Sequence, residues 1–253
     1  MVLSRRLFIK QTLSLSSGAL LLGCSKKGEA IPGYDGSDNI LDERFNAKIS
    51  LQVPSILFIG DSITDAGRNK DILEPNQTEG LGEGFVKAIS ADVLSNVKYK
   101  NLLFYNRGVS GNTTSDLRKR WEADCISLKP SIVNILIGIN DLRYNFSPVQ
   151  FYNNYWNILF LTKSKLPQTK VVICEPFLLP NIANYTSLQS NFTEYRKAIR
   201  SLVKEYQAVF IPYYQDFLNA SKNTAPEKLL IDGFHPSNDG ISLLATSWQQ
   251  FIQ

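Results

Sequence analysis

The sequence predicts an α/β fold, a three-layer α/β/α sandwich around a central five-stranded parallel sheet. Three observations lead there. Five short apolar runs recur beyond residue 54, each nearly continuous in Val, Ile, Leu and Phe rather than alternating, which is the pattern of strands buried on both faces. Helical patterns separate the runs, and strands alternating with helices call for crossovers and a parallel sheet. A chain of 253 residues, 43% of them hydrophobic, is long enough for one domain with a substantial core.

Taken in order, the first strand is Ser55–Ile59, which stops at Gly60-Asp61-Ser62. A helical pattern over Gly84–Leu94 leads to a strand at Leu102–Tyr105. The next helix, Thr114–Ser127, has Thr113, Thr114 and Ser115 available as caps. A strand follows at Ile132–Ile137, then a helix at Val149–Lys165 whose Phe151, Tyr152, Tyr155 and Trp156 predict burial. The fourth strand is Val171–Cys174. In the helix after it, Leu188, Phe192, Tyr195, Ile199, Leu202 and Tyr206 recur every three or four residues. The fifth strand, Val209–Ile211, and a helix over Ile241–Ile252 close the chain. Right-handed crossovers make this arrangement flavodoxin-like. Trp121, Trp156 and Trp248 fall in helical patterns and are expected in the core rather than as sugar platforms.

The residues ahead of the domain have a different character. Residues 4–10 read Ser-Arg-Arg-Leu-Phe-Ile-Lys, and the apolar stretch Leu13–Gly23 that follows is too short to span a bilayer comfortably. This leader is similar to a twin-arginine export signal. It ends in Leu21-Leu22-Gly23-Cys24, which resembles a bacterial lipoprotein box, and that resemblance implies cleavage before Cys24 and lipid attachment to it. The expected organisation is a signal peptide over 1–23, a tether rich in Gly, Asp, Asn and charge over 24–50, and the folded domain over 51–253. This places the protein in the bacterial cell envelope, anchored at a membrane on its periplasmic or surface side. Three of the 27 basic residues precede Cys24 and no acidic residue does, leaving 24 against 23 for the remainder. The apparent basicity belongs to the leader, and nothing marks a nucleic-acid footprint.

The histidine count narrows the chemistry. His235 is the one histidine, and Cys24, Cys125 and Cys174 lack metal-ligand spacing, so no multi-histidine zinc site can be built and no metal or other cofactor is expected. Cys125 and Cys174 sit in a helical and a strand pattern and read as buried free thiols, although export would permit a bridge. In an open parallel sheet, sites form beyond the carboxyl ends of the strands. Three polar stretches begin there: Ser62 after the first strand, Asn106–Thr113 after the second, and Gly138-Ile139-Asn140-Asp141 after the third. Serine needs a base to act as a nucleophile, and the imidazole for it lies in Asp232-Gly233-Phe234-His235-Pro236. A compact turn there lets Asp232 accept from the ring and fix its tautomer. Acyl transfer also needs donors for an oxyanion. The backbone N–H groups of Gly111 and Ser62 and the side-chain amide of Asn140 can supply them, although singly Gly111 also reads as a turn glycine and Asn140 as a strand-end cap. Ser110 is a rival nucleophile, since Gly108-Val109-Ser110-Gly111-Asn112 approaches a Gly-x-Ser-x-Gly elbow but carries Asn112 in the last glycine position. Arg68, Arg107 and Arg143 lie beside these blocks and either line the pocket or pair with carboxylates.

Gly60-Asp61-Ser62, Gly111, Asn140 and Asp232-x-x-His235 resemble, in order, the blocks of the SGNH/GDSL hydrolases. The resemblance runs from about Ile56 to the C-terminus. It implies Ser62 as nucleophile, Ser62, Gly111 and Asn140 as oxyanion donors, Asp232 as the residue that orients the imidazole, and His235 as base, in a metal-free hydrolase of esters and thioesters. Ser62–Arg68, Leu81–Phe85, Asp116–Glu122 and Ile137–Asp141 look like the branch that contains acetyl xylan esterases, which implies an acetylated carbohydrate or other small ester as substrate. That branch tends to carry a Trp soon after the Asn-Asp pair, where this chain has Leu142-Arg143-Tyr144. Two other functions stay open at this point: a lysophospholipase or thioesterase acting on longer acyl chains, and a non-catalytic sugar-binding lipoprotein.

Overall fold

The computed structural model describes residues 48–180 and 185–252. The leader, Cys24 and nearly all of the expected tether lie outside them. Five strands form one parallel sheet: β1 (Ser55–Gly60), β2 (Leu103–Asn106), β3 (Ile132–Leu136), β4 (Lys170–Cys174) and β5 (Val209–Ile211), in the spatial order β2-β1-β3-β4-β5. The helices are α1 (Ser62–Asp65), α2 (Thr78–Leu81), α3 (Phe85–Ser95), α4 (Thr114–Trp121), α5 (Ile139–Arg143), α6 (Pro148–Lys165), α7 (Tyr185–Tyr206), α8 (Tyr213–Ala220), α9 (Pro226–Leu229) and α10 (Asn238–Gln249). One group packs as α4 on α6 on α7, and a second as α3 and α8 on α10. These two groups are the outer layers of the sandwich.

Covering both faces explains the strand sequences. Every residue of β3 is buried, and in β1 only Ser55 is partly exposed. The edge strand β2 instead alternates half-buried and buried residues. Its free edge is occupied by Asn76, whose side-chain oxygen accepts the Phe104 N–H (2.8 Å) and whose backbone N–H donates to the Phe104 carbonyl (3.0 Å), so the edge is not left open for another chain. In the core, Phe58 of β1 packs against Phe85, Phe104 and Trp248, and Phe151 stacks on Tyr195 at 4.2 Å to join α6 to α7. Two of the three tryptophans are fully buried, with Trp121 Nε1 donating to Thr162 and Trp248 Nε1 to Asn134. Cys125 and Cys174 are free and buried.

The expected helix Thr114–Ser127 is in fact two pieces. It is α-helical to Trp121 and then forms a π-helical turn over Glu122–Ile126, closed by Ser127 N–H donating to the Glu122 carbonyl (2.9 Å). Packing at the N-terminal end begins before residue 51: Ile49 is buried, pairs with Ile252, and donates from its N–H to the Phe251 carbonyl. Among the described residues no helix is long and apolar enough to cross a membrane, and no cluster of three His, Cys, Asp or Glu side chains could hold a metal ion.

Candidate active site

From β1 the chain runs to β2 on one side of it and later to β3 on the other. The strand order reverses there, so a crevice opens at the carboxyl end of β1, where ligands bind in open α/β sheets. Gly60 ends the strand. A Cβ on it would lie 2.0 Å from the Leu136 carbonyl of β3, so a side chain would force the two central strands apart. Asp61 then caps α1 by accepting the Ile63 N–H (3.0 Å), which leaves Ser62 on the first turn at the rim of the sheet.

The imidazole comes from the far end of the chain. Asp232 Oδ1 accepts the backbone N–H groups of Phe234 (3.1 Å) and His235 (2.8 Å), folding the loop between α9 and α10 into an Asx turn. The loop is closed by Ile231 N–H donating to the His235 carbonyl and by Ser237, which caps α10. That turn brings Asp232 Oδ2 to 2.7 Å from His235 Nδ1. Burial pushes the Asp232 carboxyl up, but the hydrogen bonds from the His235 backbone and ring and from Phe234 outweigh it, and its pKa is lowered. An ionised carboxylate only accepts, so Nδ1 is the protonated nitrogen and Nε2 presents its lone pair. Ser62 Oγ lies 2.8 Å from Nε2 and donates to it. Ser62, Asp232 and His235, the first and last 173 residues apart in sequence, thus form one continuous relay. The relay is open to solvent, with 39% of the His235 and 53% of the Asp232 side chain exposed.

The donors lie next to it. Val109–Asn112 is a β-turn closed by Asn112 N–H to the Val109 carbonyl (3.2 Å), with Gly111 in its third position at φ +82°, a conformation that favours glycine. A Cβ there would meet nothing within 4 Å, so the glycine is required by the backbone and not by crowding. The Gly111 and Ser62 N–H groups donate to no protein atom among the described residues. Asn140, on the first turn of α5, donates one amide hydrogen to the Asn112 carbonyl (3.1 Å) and keeps the second. Ser110 is otherwise engaged: its hydroxyl and its N–H both donate to Asp65 Oδ2 at 2.8 Å, whereas the imidazole bonds Ser62.

Two buried carboxyls lie beneath these groups. Burial pushes Asp61 up to about 7, with the nearby Asp141 adding and the Ile63 N–H and His235 opposing. Burial likewise pushes Asp141 up to about 6, against the hydrogen bonds from Thr114. Asp141 accepts the N–H (3.0 Å) and the hydroxyl of Thr114, so adjacent residues of α5 hold both Asn112 and Thr114. Of the three arginines beside these blocks, none pairs with a carboxylate among the described residues: Arg68 donates to the Gly108 carbonyl, Arg107 to the Asn106 and Leu73 carbonyls, and the Arg143 guanidinium sits 5.3 Å from the Phe234 ring centre. In the Leu142-Arg143-Tyr144 stretch after the Asn-Asp pair, Leu142 is buried and Tyr144 is 63% exposed. Sequence reasoning did not single out Asp65 or Arg120, both of which brace the 107–112 loop. The one available signal was the acidic–basic–acidic spacing of Asp116, Arg120 and Asp124 on one helical face.

A hydroxyl that donates to an imidazole, a carboxylate behind that imidazole, and unused N–H donors beside the hydroxyl are together what acyl transfer requires. Residues 58–242 match the GDSL-like Lipase/Acylhydrolase family. An acetylxylan esterase of Geobacillus stearothermophilus is 30% identical over 205 residues, spanning 78% of this chain and 93% of that protein. Among solved structures, one described as a GDSL-like lipase from Parabacteroides merdae is 36% identical with a TM-score of 0.75, covering 81% of this chain and 97% of its own. Axe2, an acetylxylan esterase from Geobacillus stearothermophilus, is 26% identical with a TM-score of 0.72, covering 81% and 99%. Substitutions of a serine, an aspartate and a histidine of Axe2 are described as catalytic mutants.

Proposed function

The chain belongs to the GDSL-like lipase/acylhydrolase family and is a carboxylic ester hydrolase, and on that premise we propose that it removes acetyl groups from a carbohydrate through an acyl-enzyme formed on Ser62. The observation that carries the mechanism is the relay of 2.8 Å from Ser62 Oγ to His235 Nε2 and 2.7 Å from His235 Nδ1 to Asp232. Ser62 Oγ attacks the acetyl carbonyl while Nε2 takes its proton, and Asp232 stabilises the imidazolium that forms. The developing oxyanion is received by the N–H groups of Ser62 and Gly111 and the free amide hydrogen of Asn140. Collapse of this intermediate expels the sugar oxygen, which takes the proton back from His235. Water then attacks the acetyl-enzyme, again giving a proton to Nε2, and acetate leaves as Ser62 recovers its proton.

The acetylated carbohydrate is supported by the likeness to acetylxylan esterases, which extends over 93% of the curated relative. The test is acetate release from acetylated xylo-oligosaccharides, alongside 4-nitrophenyl esters of two to twelve carbons in the acyl chain. We expect acetate release and a steep fall in kcat/KM beyond acetyl. Flat or rising activity toward long chains, with no acetate release, would move the enzyme to lysophospholipids or thioesters. The leader extends the proposal: export through the twin-arginine route and lipid attachment at Cys24, which would place the enzyme at the cell envelope. Cys24→Ala should release it from the membrane fraction of a bacterial host, and retention there would contradict the anchor.

A further inference from the structure

Arg120 lies on α4, apart from the relay and the oxyanion donors, and its side chain is only 19% exposed. Its guanidinium donates in four directions. Nε reaches the Asn112 side-chain oxygen (2.7 Å), Nη1 reaches the Arg107 carbonyl (2.7 Å) and Asp124 Oδ2 (2.6 Å), and Nη2 reaches the Gly60 carbonyl (3.0 Å). Three of these partners belong to the site. Gly60 ends β1, two residues before Ser62. Arg107 and Asn112 bracket the turn that presents Gly111, and the Asn112 carbonyl in turn accepts the Asn140 amide.

We infer that Arg120 is a positioning residue for acyl transfer: one planar guanidinium sets the strand end that carries Ser62 against the turn that carries Gly111. The inference rests on the Ser62 reading above. The same turn is held from its other side by Asp65, which binds Ser110, and by Val109 N–H donating to the Gly60 carbonyl (3.1 Å). Asp65 fixes the front of the turn, and Arg120 fixes its far end and its distance from β1. The rigid fork matters, because an ammonium in its place could reach one of these acceptors but not hold all three in a plane. Asp124 contributes by neutralising the guanidinium from within the π-helical turn, without touching the site itself. Misplacing Gly111 or Asn140 by a fraction of an ångström weakens donors that act in the transition state and leaves substrate binding largely alone. The expected signature is therefore a loss in kcat.

The experiment compares Arg120→Lys, Asn112→Ala, their double variant and Ser62→Ala on 4-nitrophenyl acetate, with thermal midpoints measured on the same preparations. Arg120→Lys should keep its midpoint within several degrees and KM within about threefold while kcat falls tenfold or more. Asn112→Ala should lower kcat in the same sense by a smaller factor. The double variant should lose less than the product of the two single factors, because both remove the same bond. A folded Arg120→Lys with kcat within twofold of the parent overturns the inference, as do independent, multiplicative losses. Should Arg120→Lys fail to fold, Asn112→Ala decides alone, and unchanged kcat there overturns it. Ser62→Ala separates the two levels: if it stays active the serine reading itself fails, whereas a dead Ser62→Ala beside a fully active Arg120→Lys removes only the role given to Arg120.

Discussion

Asp232 is half exposed, and that sets the size of its effect. Asp232→Asn leaves a side chain that can still bond Nδ1, but it no longer selects the tautomer or stabilises the imidazolium. Water screens a charge at this position, so kcat should fall by about a hundredfold, short of the roughly 10⁴-fold loss of a buried counterpart; steady-state kinetics on 4-nitrophenyl acetate checks it. Asp61 makes a prediction of another kind. Its carboxyl titrates near 3.8 when unfolded and at about 7 in the fold, raised by burial. Between those values the native state holds a proton that the unfolded chain has lost, so stability declines as pH rises through that window and is unaffected below it. Asp61→Asn keeps the acceptor for Ile63 and removes the titration. Its thermal midpoint should therefore gain on the parent by several degrees between pH 4 and pH 7.5, and a constant difference across that range would contradict the burial argument. Ser62, Asp232 and His235 were legible in the sequence for a physical reason: a single imidazole leaves one candidate base, and a carboxylate three residues before it can reach it only through a turn. Arg120 was not legible, because its role depends on which carbonyls face its fork, and carbonyls carry no sequence signature.

Among the elements, the strands were legible nearly to the residue, since burial on both faces demands unbroken apolar runs. The long helices were legible from their period. The four- and five-residue helices α1 and α5 were not, being shorter than the window in which a 3.6-residue period can register, yet they carry Ser62 and Asn140. The π-helical turn after Trp121 was also invisible, because the apolar spacing runs on through it while the hydrogen bonding shifts by one residue. Capping was partly legible: Thr113, named as a cap from the sequence, caps α4 through a reciprocal pair with Asp116, whereas the matching pair of Ser147 and Gln150 at α6, where Pro148 occupies the first turn, was not named from it. The α6 cap is remote from the relay. Ser147→Ala should cost about 1 kcal/mol and lower the thermal midpoint by about 2–4 °C, with kcat unchanged at 25 °C.

For the molecule as a whole, the order β2-β1-β3-β4-β5 puts the reversal of strand order at β1, and every proposed participant gathers at the carboxyl end of the sheet. The opposite end is closed by the terminal segments, where Ile49 packs against Phe251 and Ile252. Burying one isoleucine contributes roughly 1.5–3 kcal/mol. A chain shortened to begin at Leu51 should thus melt several degrees below one that begins at Ala47, while both hydrolyse 4-nitrophenyl acetate equally at 25 °C. Equal midpoints would show that the domain does not use this contact.

The most direct measurement is covalent. A 4-nitrophenyl alkylphosphonate offered to the enzyme should attach one phosphonyl group, and tandem mass spectrometry of the digest should find it on Ser62. The same label should form far more slowly in His235→Gln. A label on Ser110, or a Ser62→Ala variant that still turns over acetyl esters at the parent rate, would contradict the account.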